Sequence, residues 1–332
     1  MRKLITLIVV LGLGWSGYWF VGSQGHKTAM TKWLDDRRAE GWQVDYSDHV
    51  VRGFPNRFDT TFTDLQLTDP ETGLSWQAPF FQILSLSYKP NHLIAVWPHE
   101  QTIATPREKF TLKTDDMRAS LKVKPSTALA LDSANVEMGG AVITSTDGWT
   151  AGFDALNAAI RNAPGTTNTY DVAANINQLL PGERFRAIID QGGTLPDQIE
   201  ALQFDLQAQL SGALDRIAIE TQRPDVTALT IRDLRGAWGE LEIRAKGDMT
   251  VENAKPNGEV AITARNWREM LALAVQAGAI EANAASAAEF GLGLLASSSG
   301  NANALDATLS FSNGATFLGP LPIGPAPEIR LP

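Results

Sequence analysis

Leu202-Gln203-Phe204-Asp205-Leu206-Gln207-Ala208-Gln209-Leu210 sets an apolar side chain at every second position and a polar one between. Successive side chains of an extended chain point to opposite faces, so this segment reads as a half-buried strand with one dry and one wet face. The same period continues downstream in Leu214 to Thr221, Ala228 to Leu234, Glu240 to Lys246, Asp248 to Glu252 and Gly258 to Ala264. Short turns such as Lys255-Pro256-Asn257-Gly258 join them, which predicts an antiparallel meander. Asn266 then opens a helix as N-cap, with Glu269 at the capping-box position and Trp267, Met270, Leu271, Ala274, Val275 and Gly278 on one stripe. A second, Ala-rich helix runs from about Asn283 to Ala296, then a loop at Ser297 to Asn301. Leu305, Ala307, Leu309 and Phe311 restore the two-residue period, and Gly/Pro punctuation from Gly319 to Pro332 excludes a final helix.

Upstream, Phe58 to Phe62 alternates, and the phase slips at Asp64 so that Leu65 and Leu67 take over, the mark of a bulge or bend. Further strands are predicted at Gln82 to Tyr88, Leu93 to Trp97, Phe110 to Leu112, Ala119 to Val123, Leu129 to Met138 and Ala141 to Ser145. Three helical stripes come next: Phe153, Leu156 and Ile160; Val172, Ile176, Leu179 and Leu180; Phe185, Ile188 and Ile189. The expected fold is α+β and mainly β, with long curved antiparallel sheets, packed helices and an N-terminal transmembrane helix. The chain divides into an anchor or signal (1–24), a juxtamembrane amphipathic helix (25–42), a first β-rich half with helices (43–192), and a second with a helix pair and extended tail (193–332).

Behind Arg2 and Lys3, Leu4 to Val21 carries no charge over the length of a membrane-spanning helix. Trp15, Tyr18, Trp19 and Phe20 gather at its distal end, where amphipathic rings favour the lipid–water interface, and the two cations favour a cytoplasmic start. The membrane is therefore the first partner, through Leu4–Val21, with the body in the periplasm. A cleaved signal peptide is the competing reading, since Val21-Gly22-Ser23 offers a small-residue site. From Thr28 to Glu40, Met30, Trp33 and Leu34 share a helical stripe that ends at Gly41.

With 332 residues, 44% hydrophobic, the chain has material for a sizeable core. A net charge of −9 argues against nucleic acid as a partner. Zero cysteines exclude disulfides, thiolate catalysis and Cys-based metal sites. The histidines, His26, His49, His92 and His99, form no HExxH or i,i+4 pair, and His92 and His99 lie roughly 20 Å apart if the chain between them is extended. Asp35-Asp36 and Asp115-Asp116 read as solvated pairs. Gly12-Leu-Gly-Trp-Ser-Gly17 spells a dinucleotide fingerprint inside an apolar span, where no βαβ unit can use it. No catalytic, cofactor or metal-binding residues are expected, and no ligand-binding residue can be named. Arg52-Gly53-Phe54-Pro55-Asn56-Arg57-Phe58 reads as a shaped strand connection.

Several elements together carry a family resemblance: the helix end Gly41-Trp42, Gly53-Phe54-Pro55-x-Arg57-Phe58-Asp59, Trp76-x-Ala78-Pro79, Tyr88-x-Pro90-Asn91-His92-x-Ile94-Ala95-x-Trp97-Pro98 and Gly319-Pro320-x-Pro322-x-Gly324-Pro325-Ala326-Pro327. They resemble an uncharacterised alphaproteobacterial envelope family, a domain of unknown function, over nearly the whole chain. The plan is also similar to the AsmA-like group, which implies a groove-bearing sheet that handles lipid or influences outer-membrane assembly; the narrower family supplies no catalytic residues to carry over. The expectation is a non-enzymatic, inner-membrane-anchored periplasmic protein that binds lipid in an apolar sheet groove or aids envelope homeostasis. The alternatives are an adaptor that binds another envelope protein, and a periplasmic hydrolase built from scattered residues.

Overall fold

A computed structural model describes residues 1–278, 280–298, 303–319 and 321–331. The chain forms two compact units: residues 1–125 with 136–148, and residues 126–135 with 149–332. The expected division at 192/193 falls inside the second unit.

The first unit opens with α1 (Arg2–Ala39), one uninterrupted helix that contains both the apolar span and the amphipathic segment. Gly41, at φ +94°, lies just past its end. Leu34 is buried against Val44, Phe62 and Leu65, with Met30 packed beside it. Trp33 is 48% exposed beneath the Arg37 guanidinium, so it lies off the packed stripe on which it was expected. The antiparallel strands are β1 (Gln43–Asp45), β2 (Asp48–Arg52), β3 (Arg57–Thr68), β4 (Ser75–Leu86), β5 (Lys89–Val96), β6 (Glu100–Ala104), β7 (Lys109–Lys113) and β8 (Asp116–Val123). Strand β3 is central, flanked by β1 and β2 on one side and β4 on the other. The phase slip at Asp64 is a bend and not a bulge: pairing passes from Thr63↔Phe80 to Leu65↔Ala78 with no change of register, and Asp64 sits at φ +50°. Phe62 and Leu65 thereby both reach the core despite their odd spacing.

Strand β9 (Leu131–Ser145) runs on through Gly139-Gly140, where two strands were expected. Gly140, at φ +57°, leaves no room for a Cβ, which would lie 2.1 Å from the Asp115 carboxylate.

In the second unit β10 (Thr150–Asn162), β11 (Thr169–Leu179), β12 (Ile199–Leu210), β13 (Val226–Trp238), β14 (Leu241–Glu252), β15 (Lys255–Arg265), β16 (Ala304–Ser312), β17 (Ala315–Leu318) and β18 (Leu321–Pro325) succeed one another as an antiparallel meander. Helices α2 (Glu183–Ile189), α3 (Arg216–Glu220), α4 (Trp267–Gln276) and α5 (Ala282–Ser298) interrupt it.

Several expected elements take another form. The stripes at Phe153–Ile160 and Val172–Leu180 are strands β10 and β11, paired Leu156↔Ile176 and Ile160↔Val172. An i,i+4 spacing is also two strand periods, so those apolar positions fit either structure, and cross-strand partners decided the outcome. Only the third stripe, Phe185–Ile189, is helical, as α2. Leu214 to Thr221, expected as strand, contains α3, begun by the Asp215 carboxylate accepting from the Ala218 N–H at 3.0 Å. Glu240 to Lys246 and Asp248 to Glu252 form the single strand β14 across Gly247, where a Cβ would lie 2.1 Å from the Glu259 carbonyl. Asn266 is left-handed at φ +53° and makes no side-chain cap; its amide donates to the Glu240 carbonyl at 3.0 Å. Of the loop expected at Ser297–Asn301, Ser297 and Ser298 end α5 and the others lie outside the described residues, as do Pro320 and Pro332 of the tail.

Candidate functional site

Register across the second unit turns separate alternations into one apolar face. One row runs Leu156, Ile176, Leu202, Gly236, Ile243, Ala264, Leu305; another runs Ile160, Val172, Leu206, Ile231, Gly247, Val260, Leu309. Between them lie Ala158, Ala174, Phe204, Leu234, Ala245, Ile262 and Ala307. The odd spacing of Ile231 and Leu234 would put one of them on the wet face of a regular strand. A bulge in β13 prevents this: pairing with β12 steps from Asp205↔Asp233 to Leu206↔Ile231, absorbing Arg232.

Cover over this face is uneven. Helices α4 and α5 pack Trp267, Met270 and Leu292 on Ala264, Leu305 and Ala307. The chain end brings Ala326 and Ile329 against Ala245, Met249, Val260 and Phe311, held by the Ile329 N–H donating to the Ala254 carbonyl at 2.7 Å. Ile329 and Leu331 also pack against the Tyr170, Leu210, Val226 and Val251 cluster. Over β10 to β13 the cover thins. Leu156, Ile176, Leu202, Leu206 and Ile231 are half-buried, Phe204 is 38% exposed and Leu234 36%.

The reverse face is polar and internally neutralised. The Asp171 carboxylate accepts from Arg232 at 2.5 Å, Gln207 at 2.8 Å and Arg161 at 3.1 Å, and Arg232 also donates to Asp205 at 3.2 Å. Burial alone would push the Asp171 carboxyl up; the hydrogen bonds from Gln207, Arg232 and Arg161 outweigh it and hold the group below the usual carboxylate range. Glu242 is likewise lowered, first by its hydrogen bond from Arg244, with Arg265 and Arg235 adding their charge. A cavity of about 370 Å³ beside this chain of ion pairs is lined by Ser133, Asn135, Arg161, Asp171, Asp205 and Arg232. Its two carboxylates are both engaged by arginine, an arrangement suited to fixing strand register.

The polar residues singled out from sequence are dispersed. His92 is within 3.1 Å of the Ser120 hydroxyl, and His99 within 3.0 Å of the Thr114 carbonyl. His49 stacks on Phe62 at 4.3 Å, and the His26 ring lies tilted against Phe58 at 4.8 Å. Asp35 and Asp36 pair with Arg38 and Lys32 on the outside of α1, and Asp116 pairs with Arg118. Among the described residues no three His, Asp or Glu side chains converge as metal ligands. Gly12, Gly14 and Gly17 lie on the exposed face of α1 with open space around them.

Sequence reasoning missed a second apolar junction, between α1 and the Gly53–Phe58 connection. Gly53 is at φ +105° and crowded by the Arg57 backbone at 2.9 Å, so the turn needs glycine. The Trp15 indole donates to the Pro55 carbonyl at 3.0 Å, Trp19 to the Arg57 carbonyl at 2.7 Å, and the Tyr18 hydroxyl to the Ser87 carbonyl at 2.5 Å. Trp19 is buried, and Gly22 lets Phe58 approach where a Cβ would be 2.5 Å away. The aromatic cluster at Trp15–Phe20 was the visible signal; its protein partners were not.

A family model described as an uncharacterized protein conserved in bacteria (DUF2125) matches residues 19–327. The chain belongs to that family. The DUF2125 match takes in Trp19, the Gly53–Phe58 connection and the whole apolar face of β10 to β16. No curated protein and no solved structure matches the chain.

Proposed function

We propose that this protein is a non-enzymatic, membrane-anchored lipid-binding protein whose α1 stays attached to a periplasmic body. Acyl chains lie on the open apolar face of β10 to β13. The observation that carries this reading is the uneven cover: one continuous apolar face is sealed at β14 to β16 and left half-exposed around Phe204 and Leu234. Large contiguous apolar surface facing water is costly, at about 25 cal/mol per Å², so such a face calls for an apolar occupant. The similarity in plan to AsmA-like proteins points the same way. Retention of α1 is supported by Trp15, Tyr18 and Trp19, whose partners would be stripped by cleavage near Val21.

Full-length protein purified in detergent and washed free of bulk lipid provides the test. Native mass spectrometry should find phospholipid retained by the wild type and lost from a Phe204→Asp/Leu234→Asp variant that keeps the wild-type circular dichroism spectrum. Equal retention by both proteins would contradict the reading.

A further inference from the structure

The end of the first unit's sheet that meets α1 combines three connections: Arg52–Arg57, Leu86–His92 and Leu121–Pro125. Register places them together, through Arg57↔Leu86, Leu86↔Lys89 and His92↔Lys122. They contain Arg52, Arg57, Lys89, Lys122 and Lys124 and no acidic residue, in a chain of net charge −9. Phe54 and Tyr88 stand out from this end at 53% and 57% exposure, with Phe54 stacked on Phe20 of α1 at 5.8 Å. A hollow of about 230 Å³ beside them has Leu84, Leu86 and Ile94 as its floor and Arg57, Lys89 and His92 at its rim. Arg57 also pairs with Asp59 at 2.9 Å.

Helix length then fixes where this end must sit. Trp15, bonded to the Pro55 carbonyl, is the first α1 residue tied to the Gly53–Phe58 connection. From Leu4, behind the charged Arg2 and Lys3, to Trp15 the helix rises only about 17 Å, short of the about 30 Å of hydrocarbon in a bilayer. Crossing therefore uses the turns from Trp15 to Val21 as well, and these carry the Gly53–Phe58 and Ser87–Lys89 connections to the membrane surface.

We propose that this basic, aromatic end of the first unit is immersed in the interface of the bilayer that α1 crosses and binds anionic phospholipid headgroups there. The proposal rests on α1 being retained as a span. Tyr and Trp at such a level favour the headgroup region, and arginine and lysine near an anionic surface each add to the attraction. Phe54 acts as the wedge, and the hollow receives the glycerol end of a lipid beneath its phosphate.

Because the chain has no cysteine, single labels can be placed in the full-length protein, at Phe54→Cys, Tyr88→Cys and, as control, Glu71→Cys in the turn beyond the far end of β3. Each is coupled to an environment-sensitive fluorophore and reconstituted in phosphatidylcholine vesicles with 30% phosphatidylglycerol, one of the two lipids carrying a headgroup nitroxide. Labels at 54 and 88 should be quenched severalfold more than the label at 71, and more by the phosphatidylglycerol nitroxide than by the phosphatidylcholine one. Changing Arg52→Gln and Lys89→Gln should lower the preference for phosphatidylglycerol by about fivefold per cation. Quenching at 54 and 88 no greater than at 71 overturns the immersion, and equal quenching by the two nitroxides overturns the headgroup assignment. Intact mass of the purified chain reports separately on the span: loss of the first twenty or so residues contradicts anchoring, whereas a retained helix with unquenched labels contradicts this proposal alone.

Discussion

Across β14 to β16, Ala245, Val260, Ala264 and Phe311 are buried beneath α4, α5 and the chain end, whereas across β12 and β13 Phe204 and Leu234 keep more than a third of their surface exposed. Both regions belong to one meander, share the same alternation and continue the same rows of paired residues. The difference lies in the connecting segments. The one after β15 is a helix pair that folds back onto the sheet, while the connections around β10 to β13 are short turns or the small helices α2 and α3. Burial of a sheet face depends on a covering element, and where none is supplied the apolar surface waits for one.

The comparison can be broken first at the cover. Trp267 is 3% exposed and anchors α4, so Trp267→Ala should cost about 3–5 kcal/mol, read as a lower denaturation midpoint with faster amide exchange in β15 and β16. A smaller loss is expected from Tyr170→Phe. The Tyr170 hydroxyl accepts from the Leu214 N–H at 2.8 Å at the closed end of the face, and its removal leaves a buried donor unpaired, about 1–3 kcal/mol. Phe204→Ala in the open region should change stability least, by about 1 kcal/mol or less, while reducing retained lipid; a loss as large as that of Trp267→Ala would mean the open region is core.

Acid separates the two units. Burial pushes the His49 imidazole below its usual pKa, with Lys27 adding to the effect, and among the described residues its Nε2 has no hydrogen-bond partner. A histidine whose folded pKa is depressed below 6.5 favours folding above that value, and the benefit is lost as pH falls below it. Protection of amides in the first unit, taken as the intrinsic exchange rate over the observed one, should therefore fall between pH 7 and 5. In the second unit the lowered carboxylates Asp171 and Glu242 stabilise the fold above the ordinary carboxylate range and lose that contribution as pH falls through their depressed values. Its protection should stay constant down to about pH 4.5 and fall below that. Replacing Asp171→Asn should remove part of the second unit's loss of protection and none of the first unit's.

The strands of the β12 to β16 meander were legible because Leu202–Leu210, Gly258–Ala264 and Leu305–Phe311 keep the two-residue period, and Asp64 announced its bend by a change of phase. Strands β10 and β11 were not, because Leu156, Ile160, Val172 and Ile176 fall at spacings a helix and a strand share. The apolar face itself could be read; its cover could not. Whether Phe204 meets a helix, the chain tail or water depends on where Trp267 and Ile329 travel after leaving their own strands, and no periodicity records that. The same limit hid the partners of Trp15, Tyr18 and Trp19, which suited a lipid interface by type and found backbone carbonyls of the Gly53–Phe58 and Ser87 connections.

Photocrosslinking with an acyl-chain diazirine phospholipid, with peptide mapping of the full-length anchored protein, tests the open face most directly. Crosslinks in the body should concentrate on the 199–238 segment around Phe204 and Leu234 and be sparse on the 241–265 segment beneath α4 and the chain end. Equal labelling of the two segments, or labelling confined to α1, would contradict a lipid-binding face.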